Sequence, residues 1–146
     1  MARGPLEGVL APIATPFHQD LSVDRERFVA FSKDLLASGC SALVPFGTTS
    51  EATSLSLAER TQMLTALREA EVPGHKLLPG VGLPNLPETV QLTRQAVDHG
   101  CGGVLLLPPF FYKKVDDEGL YAYVCELIQQ VGDAVGRSRE TRRTQR

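Results

Sequence analysis

A short loop rich in hydroxyl side chains is the part of this sequence best suited to chemistry. Gly47 ends an apolar run and is followed by Thr48, Thr49 and Ser50, so hydroxyls and closely spaced backbone N–H groups come together. Donors of this kind can surround a carboxylate or a phosphate. Glycine, threonine and serine are also common in turns that bind nothing. The residues alone therefore leave an anion site and an ordinary loop both open.

Three further polar segments follow apolar runs in the same way. They are residues 15–19, 82–85 and 108–113. In parallel α/β folds the active groups gather where strands end and helices begin. We therefore expect these segments to lie on the same face of the fold as residues 47–51. His18, in the first segment, is more typical of a solvated loop than of a catalytic base.

Four strand–helix units must position these loops. Apolar runs begin near residues 9, 42, 76 and 103, and each is followed by an amphipathic stretch. Helix starts are indicated by Asp24, by a capping box from Ser56 to Glu59, by Asn85 and by Asp116. The following side chains have helical spacing and are expected to share one face of each helix: Phe28, Phe31 and Leu35; Met63, Leu64 and Leu67; Leu86, Val90 and Val97; and Leu120, Val124, Leu127 and Val131.

The predicted strands are apolar throughout rather than alternating, which is typical of parallel strands covered on both faces. Residues 37–46 and 98–109 resemble each other, and their Gly-Cys pairs are 61 residues apart, as two stacked units would give. A (β/α)8 barrel and a doubly wound open sheet share this alternation of strands and helices. The spacing leaves both architectures open.

The composition gives no positive indication of a particular function, but it argues against several classes of function. The chain has 146 residues, 42% of them hydrophobic, and a net charge of −2, which gives no basis for nucleic-acid or membrane binding. Cys40, Cys101 and Cys125 lack the spacing of a disulfide framework, so we expect inert, reduced core thiols in a cytoplasmic protein. No spacing typical of a metal site occurs. Residues 133–146 are an Arg-rich tail that we expect to be disordered or non-native.

Three motifs in order along the chain resemble a known family. Residues 47–60, Gly-Thr-Thr-Ser-Glu-Ala-Thr-Ser-Leu-Ser-Leu-Ala-Glu-Arg, resemble the Gly-[Thr/Ser]-Thr-Gly-Glu signature of the dihydrodipicolinate synthase/N-acetylneuraminate lyase family. Residues 9–17 are similar to that family's first strand, and residues 108–121 to its fourth strand and following loop. The resemblance implies an α/β fold made of the N-terminal four βα units of a TIM (β/α)8 barrel, a truncated half-barrel over residues 1–132.

The resemblance also implies a lyase that acts as a class I aldolase with no cofactor or metal. In the family a strand-six lysine forms a Schiff base with pyruvate or another 2-oxo acid, and a strand-five tyrosine shuttles protons. By resemblance, Thr48 and Thr49, together with Ser50, bind the carboxylate of the acid, and Thr48 joins the proton relay. Many relatives add a fourth-strand tyrosine that reaches a neighbouring subunit. Its position here is Phe111, so either the adjacent Tyr112 takes that role or this branch of the family uses a different relay.

Besides Phe111, the sequence departs from the family in two further ways. Ser50 stands where the family usually has glycine, and serine would be strained there if the residue needs a positive φ. The strand-five tyrosine and strand-six lysine have no counterpart, and Lys33, Lys76, Lys113 and Lys114 are poorly placed to replace the lysine. We therefore expect the chain to be catalytically incomplete alone. The alternatives are a non-catalytic half-barrel that binds 2-oxo acids or forms a homo-oligomer, and a barrel completed by a complementing half.

Overall fold

Parallel pairing places the four apolar runs side by side in chain order. The structure is a computed structural model that describes residues 7–144, with side chains described for residues 7–132. Strand β1, Leu10–Pro12, pairs in parallel with strand β2, Ala42–Val44. Beyond β2 the order continues through two isolated parallel bridges, Leu43 with Leu77 and Gly80 with Leu105.

Within the described residues, the predicted third and fourth strands are bridged segments rather than regular strands. Leu78 donates its N–H to the carbonyl of Leu43 at 2.9 Å, and Gly80 donates to the carbonyl of Pro45 at 2.7 Å. Proline has no N–H to donate, so Pro45 and Pro79 each leave a gap in the ladder. The segments are parallel and adjacent as predicted, but their hydrogen bonding is interrupted.

Four α-helices follow these segments. They are α1, Arg25–Ala37; α2, Leu57–Glu69; α3, Leu86–Asp98; and α4, Asp117–Thr144. Single 3-10 turns lie at Ala52–Ser54 and Gly74–Lys76. Each helix begins within a residue of the start that the sequence predicts.

The predicted capping residues make the expected hydrogen bonds. Asp24 accepts the N–H of Arg27 at 2.9 Å, and the reciprocal capping box between Ser56 and Glu59 is present. Asn85 accepts the N–H of Glu88 at 2.9 Å. These bonds satisfy N–H groups that have no partner within the helix, so the positions of the helix starts are explained locally.

The core lies between the strands and the inner faces of α1 and α2. Phe28 and the predicted α2 stripe of Met63, Leu64 and Leu67 are buried in it, with Ile13, Leu43 and Leu77 from the strand segments. The prediction that Val97 shares the core-facing side of α3 with Val90 is wrong, because Val97 is 41% exposed whereas Val90 is buried. The buried stripe of α3 instead consists of Thr89, Val90, Leu92, Thr93 and Ala96.

Helix α4 packs on α3 and continues past Gly132, the end of the predicted half-barrel, to Thr144. Leu127 is buried, and Leu120, Val124 and Val131 are half-buried, as expected for one shared helix face. The predicted Arg-rich tail thus begins as helical backbone up to Thr144, and residues 145 and 146 lie outside the described part. Its alanine, glutamate and arginines are favourable helix residues. Its assignment as a separate, non-native tail stays a prediction.

None of the helices within residues 7–144 combines the length and apolarity needed to cross a bilayer.

The three thiols are free but differ in environment. Cys40 and Cys101 are half-buried, whereas Cys125 is exposed on α4, so the expectation of a core thiol is wrong for Cys125. Burial raises the pKa of the Cys101 thiol to about 11.

Alkylation should therefore discriminate sharply between Cys101 and Cys125. The thiolate is the reactive form, and a pKa about two units above the ordinary value lowers its fraction at pH 8 about a hundredfold. We expect iodoacetamide at pH 8 to modify Cys125 rapidly and Cys101 at least a hundredfold more slowly. Mass spectrometry of peptides from a time course measures both rates, and full labelling after denaturation serves as the control. Equal rates in the folded chain would contradict the described environment of Cys101.

Candidate active site

The loop after β2 leaves a group of hydrogen-bond donors without acceptors. Ser50 donates its N–H to the carbonyl of Gly47 at 3.1 Å, and Glu51 donates to the carbonyl of Thr48 at 3.1 Å. The backbone N–H groups and the hydroxyls of Thr48 and Thr49 donate to nothing within residues 7–144. Both threonines are exposed. The turn therefore presents two N–H and two O–H donors from which an anion can accept hydrogen bonds.

Ser50, predicted to join the two threonines in binding a carboxylate, instead fixes the loop from inside. Its side chain is fully buried, and its hydroxyl donates to the carbonyl of Ile13 at 2.5 Å. The hydroxyl of Thr15 donates to the carbonyl of Ser50 at 2.7 Å. These two bonds tie the loop to the segment after β1. In this arrangement the Ser50 hydroxyl is engaged within the chain and has no exposed surface.

The positive φ that the sequence raised for Ser50 is found at the next residue, Glu51, instead. Glu51 has a φ of 53°, whereas Ser50 is not among the residues of positive φ. Phe46, just before the loop, has a φ of 61°. Non-glycine residues in this region are uncommon and persist where the surroundings hold them. The buried ring of Phe46, stacked on Phe28 with centroids 6.2 Å apart, provides that constraint.

A cavity of about 180 Å³ adjoins the loop at the carboxyl ends of the strand segments. The loop contributes Gly47 and Thr48 to its wall, and Arg60 of α2 also lines it. The predicted gathering of loops at one face is therefore observed: three of the segments line the cavity, and the segment 15–19 meets the loop through the hydrogen bond from Thr15 to Ser50. The remaining lining residues are Phe46, Ala52, Thr53, Gly80, Gly82, Leu83, Leu105, Leu106, Leu107 and Phe110.

The predicted relay residue Tyr112 lies apart from this cavity. Its ring is 64% exposed and packs edge-on against Phe111, with centroids 5.8 Å apart. His18, on the loop after β1, is likewise outside the cavity wall, and its Nδ1 lies 3.7 Å from a carboxylate oxygen of Asp24. The structure therefore brings Thr48 and Thr49 together but does not bring Tyr112 to them within this chain.

The four lysines also lie away from the cavity. Lys33 is exposed on α1, and Lys76 lies in the 3-10 turn that precedes the third strand segment. Lys113 and Lys114 are exposed on the loop before α4. No lysine is among the residues that line the cavity within the described chain. Neither of the two lysines on the loop face reaches the site.

Arg60 is a site residue that the sequence motifs did not single out. It occupies the same face of α2 as Met63, Leu64 and Leu67, at the spacing that predicts burial. Its side chain is only 3% exposed. A charged residue at the start of an otherwise apolar helical stripe is the signal that could have identified it.

Four parallel βα units with a donor-rich loop at the carboxyl ends of their strands define half of a (β/α)8 barrel, a fold in which functional sites lie at that face. The chain belongs to the Dihydrodipicolinate synthetase family, whose sequence profile matches residues 5–135.

Individual members of the family agree with this assignment. A 4-hydroxy-tetrahydrodipicolinate synthase from Methanosarcina mazei is 36% identical over 129 residues, which cover 86% of this chain and 42% of that protein. The crystal structure of dihydrodipicolinate synthase from Agrobacterium tumefaciens matches with a TM-score of 0.83 and 30% identity, over 86% of this chain and 44% of that one. The enzyme from Acinetobacter baumannii, solved with pyruvate, matches with a TM-score of 0.77 and 30% identity, over 86% and 43%. This chain thus spans less than half the length of each, and its fold is the N-terminal half of their barrel.

Proposed function

We propose that this chain supplies the carboxylate-binding part of a lyase that forms or cleaves a carbon–carbon bond of pyruvate or another 2-oxo acid. The observation that carries the proposal is the set of unengaged N–H and O–H donors on Thr48 and Thr49 beside the cavity. Membership of the family supports it, as does the pyruvate bound by the Acinetobacter baumannii enzyme. The carboxylate would accept hydrogen bonds from the loop while the 2-oxo group extends into the cavity.

Thr48 is the better placed of the two threonines for a role in proton transfer. It lines the cavity, whereas Thr49 does not. A hydroxyl can donate one hydrogen bond and accept another at the same time, so it can pass a proton between two partners. Tyr112 would complete such a relay only from another copy of the chain, because its ring is exposed and does not line this cavity. We assign Thr48 to the relay, and Tyr112 to the same relay across an interface.

The Schiff-base step needs an amine that the cavity of this chain lacks. In that step a lysine nitrogen adds to the carbonyl carbon of the acid and water leaves, giving an iminium that accepts electrons from the neighbouring bond. None of the four lysines lines the cavity. We therefore propose that the chain alone binds the acid without reacting, and that the lysine comes from a complementing half of the barrel.

Two measurements on the purified chain test this proposal. In an NMR titration with pyruvate, the amide signals of Thr48 and Thr49 should shift saturably, and Thr48→Val should weaken binding about tenfold by removing one donor to a charged group. Sodium borohydride added with pyruvate should leave the chain's mass unchanged. Co-expression with the C-terminal half of the Agrobacterium tumefaciens enzyme should restore a reducible adduct. Absence of saturable shifts would refute carboxylate binding, and an adduct on any lysine of the chain alone would refute the need for a second half.

Exposed apolar side chains favour a second function, that of a half-barrel module that associates with itself. At the outer edges of the strand order, Val9 is 62% exposed, and Leu105 and Leu107 are each 49% exposed. Apolar strand edges left open promote association. We expect sedimentation to give a homo-oligomer, while a complementing half should displace it. A stable monomer at high concentration would count against this function.

We place the chain in the cytoplasm and propose that it works without a cofactor or a metal. Three free cysteines support a reducing compartment. The chemistry proposed here needs only an amine, hydroxyls and backbone donors, all of which side chains and the main chain provide.

A further inference from the structure

Arg60 carries a buried positive charge that the chain itself leaves largely unpaired. Its Nη2 donates to the carbonyl of Ala52, but Nε and Nη1 are buried and have no hydrogen-bond partner in the described chain. No carboxylate of the described residues lies within ion-pairing distance of the guanidinium. Removing donors from water without a partner is costly, and for a charged group the cost is larger.

The location of this side chain connects it with the proposed carboxylate site. Arg60 and Thr48 line the same cavity of about 180 Å³. Most of the remaining wall is apolar, from Phe46, Leu105 and Leu107, so a charge within it is only weakly screened. The cavity is smaller than the roughly 300–1,000 Å³ of typical drug-sized pockets, which favours a short ligand.

The charged groups near Arg60 do not occupy its unpaired nitrogens, which remain available to an anion. Among the described residues, Glu88 is the one carboxylate with an electrostatic effect on Arg60; it raises the pKa of the guanidinium, while burial lowers it more strongly. That carboxylate already accepts a hydrogen bond from the amide of Asn85 at 2.7 Å, at the start of α3. Glu88 therefore neutralises Arg60 at a distance without occupying its free nitrogens.

We propose that Arg60 is the receptor for a second carboxylate, so that the cavity selects short 2-oxo acids with a carboxylate at each end. The first carboxylate is held at Thr48 and Thr49, and this part rests on the function proposed above. The second accepts hydrogen bonds from the guanidinium nitrogens that the chain leaves free. Hydrogen bonds between ionised partners are about twice as strong as neutral ones, so a matched acid that lacks the distal carboxylate should bind more weakly.

Two acids of equal length provide the test. The probes are 2-oxoglutarate and 2-oxopentanoate, which differ only in a distal carboxylate in place of a methyl group. NMR titration of the wild-type chain, followed at the Thr48 and Thr49 amides, should give a dissociation constant at least about tenfold lower for the diacid, a difference of about 1.4 kcal/mol. Arg60→Gln keeps an amide donor near Ala52 but removes the charge, so it should abolish the preference and give the two acids equal dissociation constants.

Arg68→Gln is the matched control. Arg68 lies on the same helix and also donates to a backbone carbonyl, that of Val72, but it does not line the cavity. This variant should keep the wild-type preference, and Arg60→Lys, which retains the charge, should keep part of it. Circular dichroism of each variant checks its folding.

The outcomes separate the two proposals. Binding of both acids with equal affinity by the wild-type chain, or an undiminished preference in Arg60→Gln, overturns the role of Arg60 and leaves the carboxylate loop intact; a water molecule would then satisfy the buried nitrogens. Failure of either acid to shift the Thr48 and Thr49 amides overturns the carboxylate loop, and the role of Arg60 with it.

Discussion

Alanine in place of Gly80 is expected to destabilise the chain by about 3 kcal/mol or more, a large part of the 5–15 kcal/mol that holds a typical domain folded. A Cβ atom at this position would lie 2.0 Å from the carbonyl oxygen of Phe46 and 2.6 Å from its carbonyl carbon. Both are backbone atoms, and Phe46 cannot move away because its ring is buried against Phe28. Chemical denaturation followed by circular dichroism measures the loss.

Gly132→Ala is the control for this substitution. A Cβ atom at Gly132 meets nothing within 4 Å, and the residue lies in helix α4. Alanine there should leave the free energy of unfolding unchanged or raise it by up to about 1 kcal/mol, because alanine favours the helix. A Gly80→Ala protein as stable as the wild type would show that the segment does not approach Phe46 as described.

Features of the fold that depend on neighbouring residues could be predicted from the sequence. The side chains of Asp24, Ser56 and Asn85 bond to N–H groups three residues further along the chain. Such caps depend on local spacing and persist whatever the helix packs against. The orientation of α3 could not be predicted in the same way, because it depends on the packing of α3 against both α2 and α4, and Val97 is exposed in that arrangement.

The lengths of the third and fourth strands could not be predicted from the apolar runs, because they depend on pairing with distant segments. The apolar runs at residues 77–82 and 103–109 predicted full strands, and their order and direction are as expected. Pairing along them is interrupted because Pro45 and Pro79 offer carbonyls but no N–H. Hydropathy describes the side chains and does not register a missing backbone N–H, which only the proline residues themselves indicate.

The candidate site likewise contains residues that the local sequence predicts and residues whose roles depend on distant contacts. Thr48 and Thr49 follow directly from the loop motif, and the structure leaves their donors unengaged. The roles of Ser50 and Arg60 depend on partners that the motif does not contain. Ser50 bonds to a carbonyl 37 positions earlier in the chain, and the burial of Arg60 depends on segments that follow it. Motif spacing therefore identifies the exposed donors of the loop, but not the distant partners that decide the positions of Ser50 and Arg60.

Removal of the Ser50 hydroxyl should loosen the loop and weaken carboxylate binding together. In Ser50→Ala the buried carbonyl of Ile13 loses the donor now 2.5 Å away, and an unsatisfied buried polar group costs about 1–3 kcal/mol. We expect the free energy of unfolding to fall by that amount. Because the same bond positions the turn that carries Thr48 and Thr49, pyruvate should also bind several-fold more weakly, as seen in the amide titration.

Ser54→Ala separates these effects from the loss of any hydroxyl in the loop. Ser54 is exposed, and its hydroxyl makes no hydrogen bond within the described residues, so this variant should match the wild type in both measurements. Ser50→Gly, which introduces the residue usual in the family, removes the same hydroxyl and adds backbone freedom, so it should be at least as destabilised as Ser50→Ala. If Ser50→Ala unfolds earlier but binds pyruvate normally, the buried bond supports the fold without orienting the threonines. If both variants keep full stability, the carbonyl of Ile13 finds another donor, and the anchoring role of Ser50 is wrong.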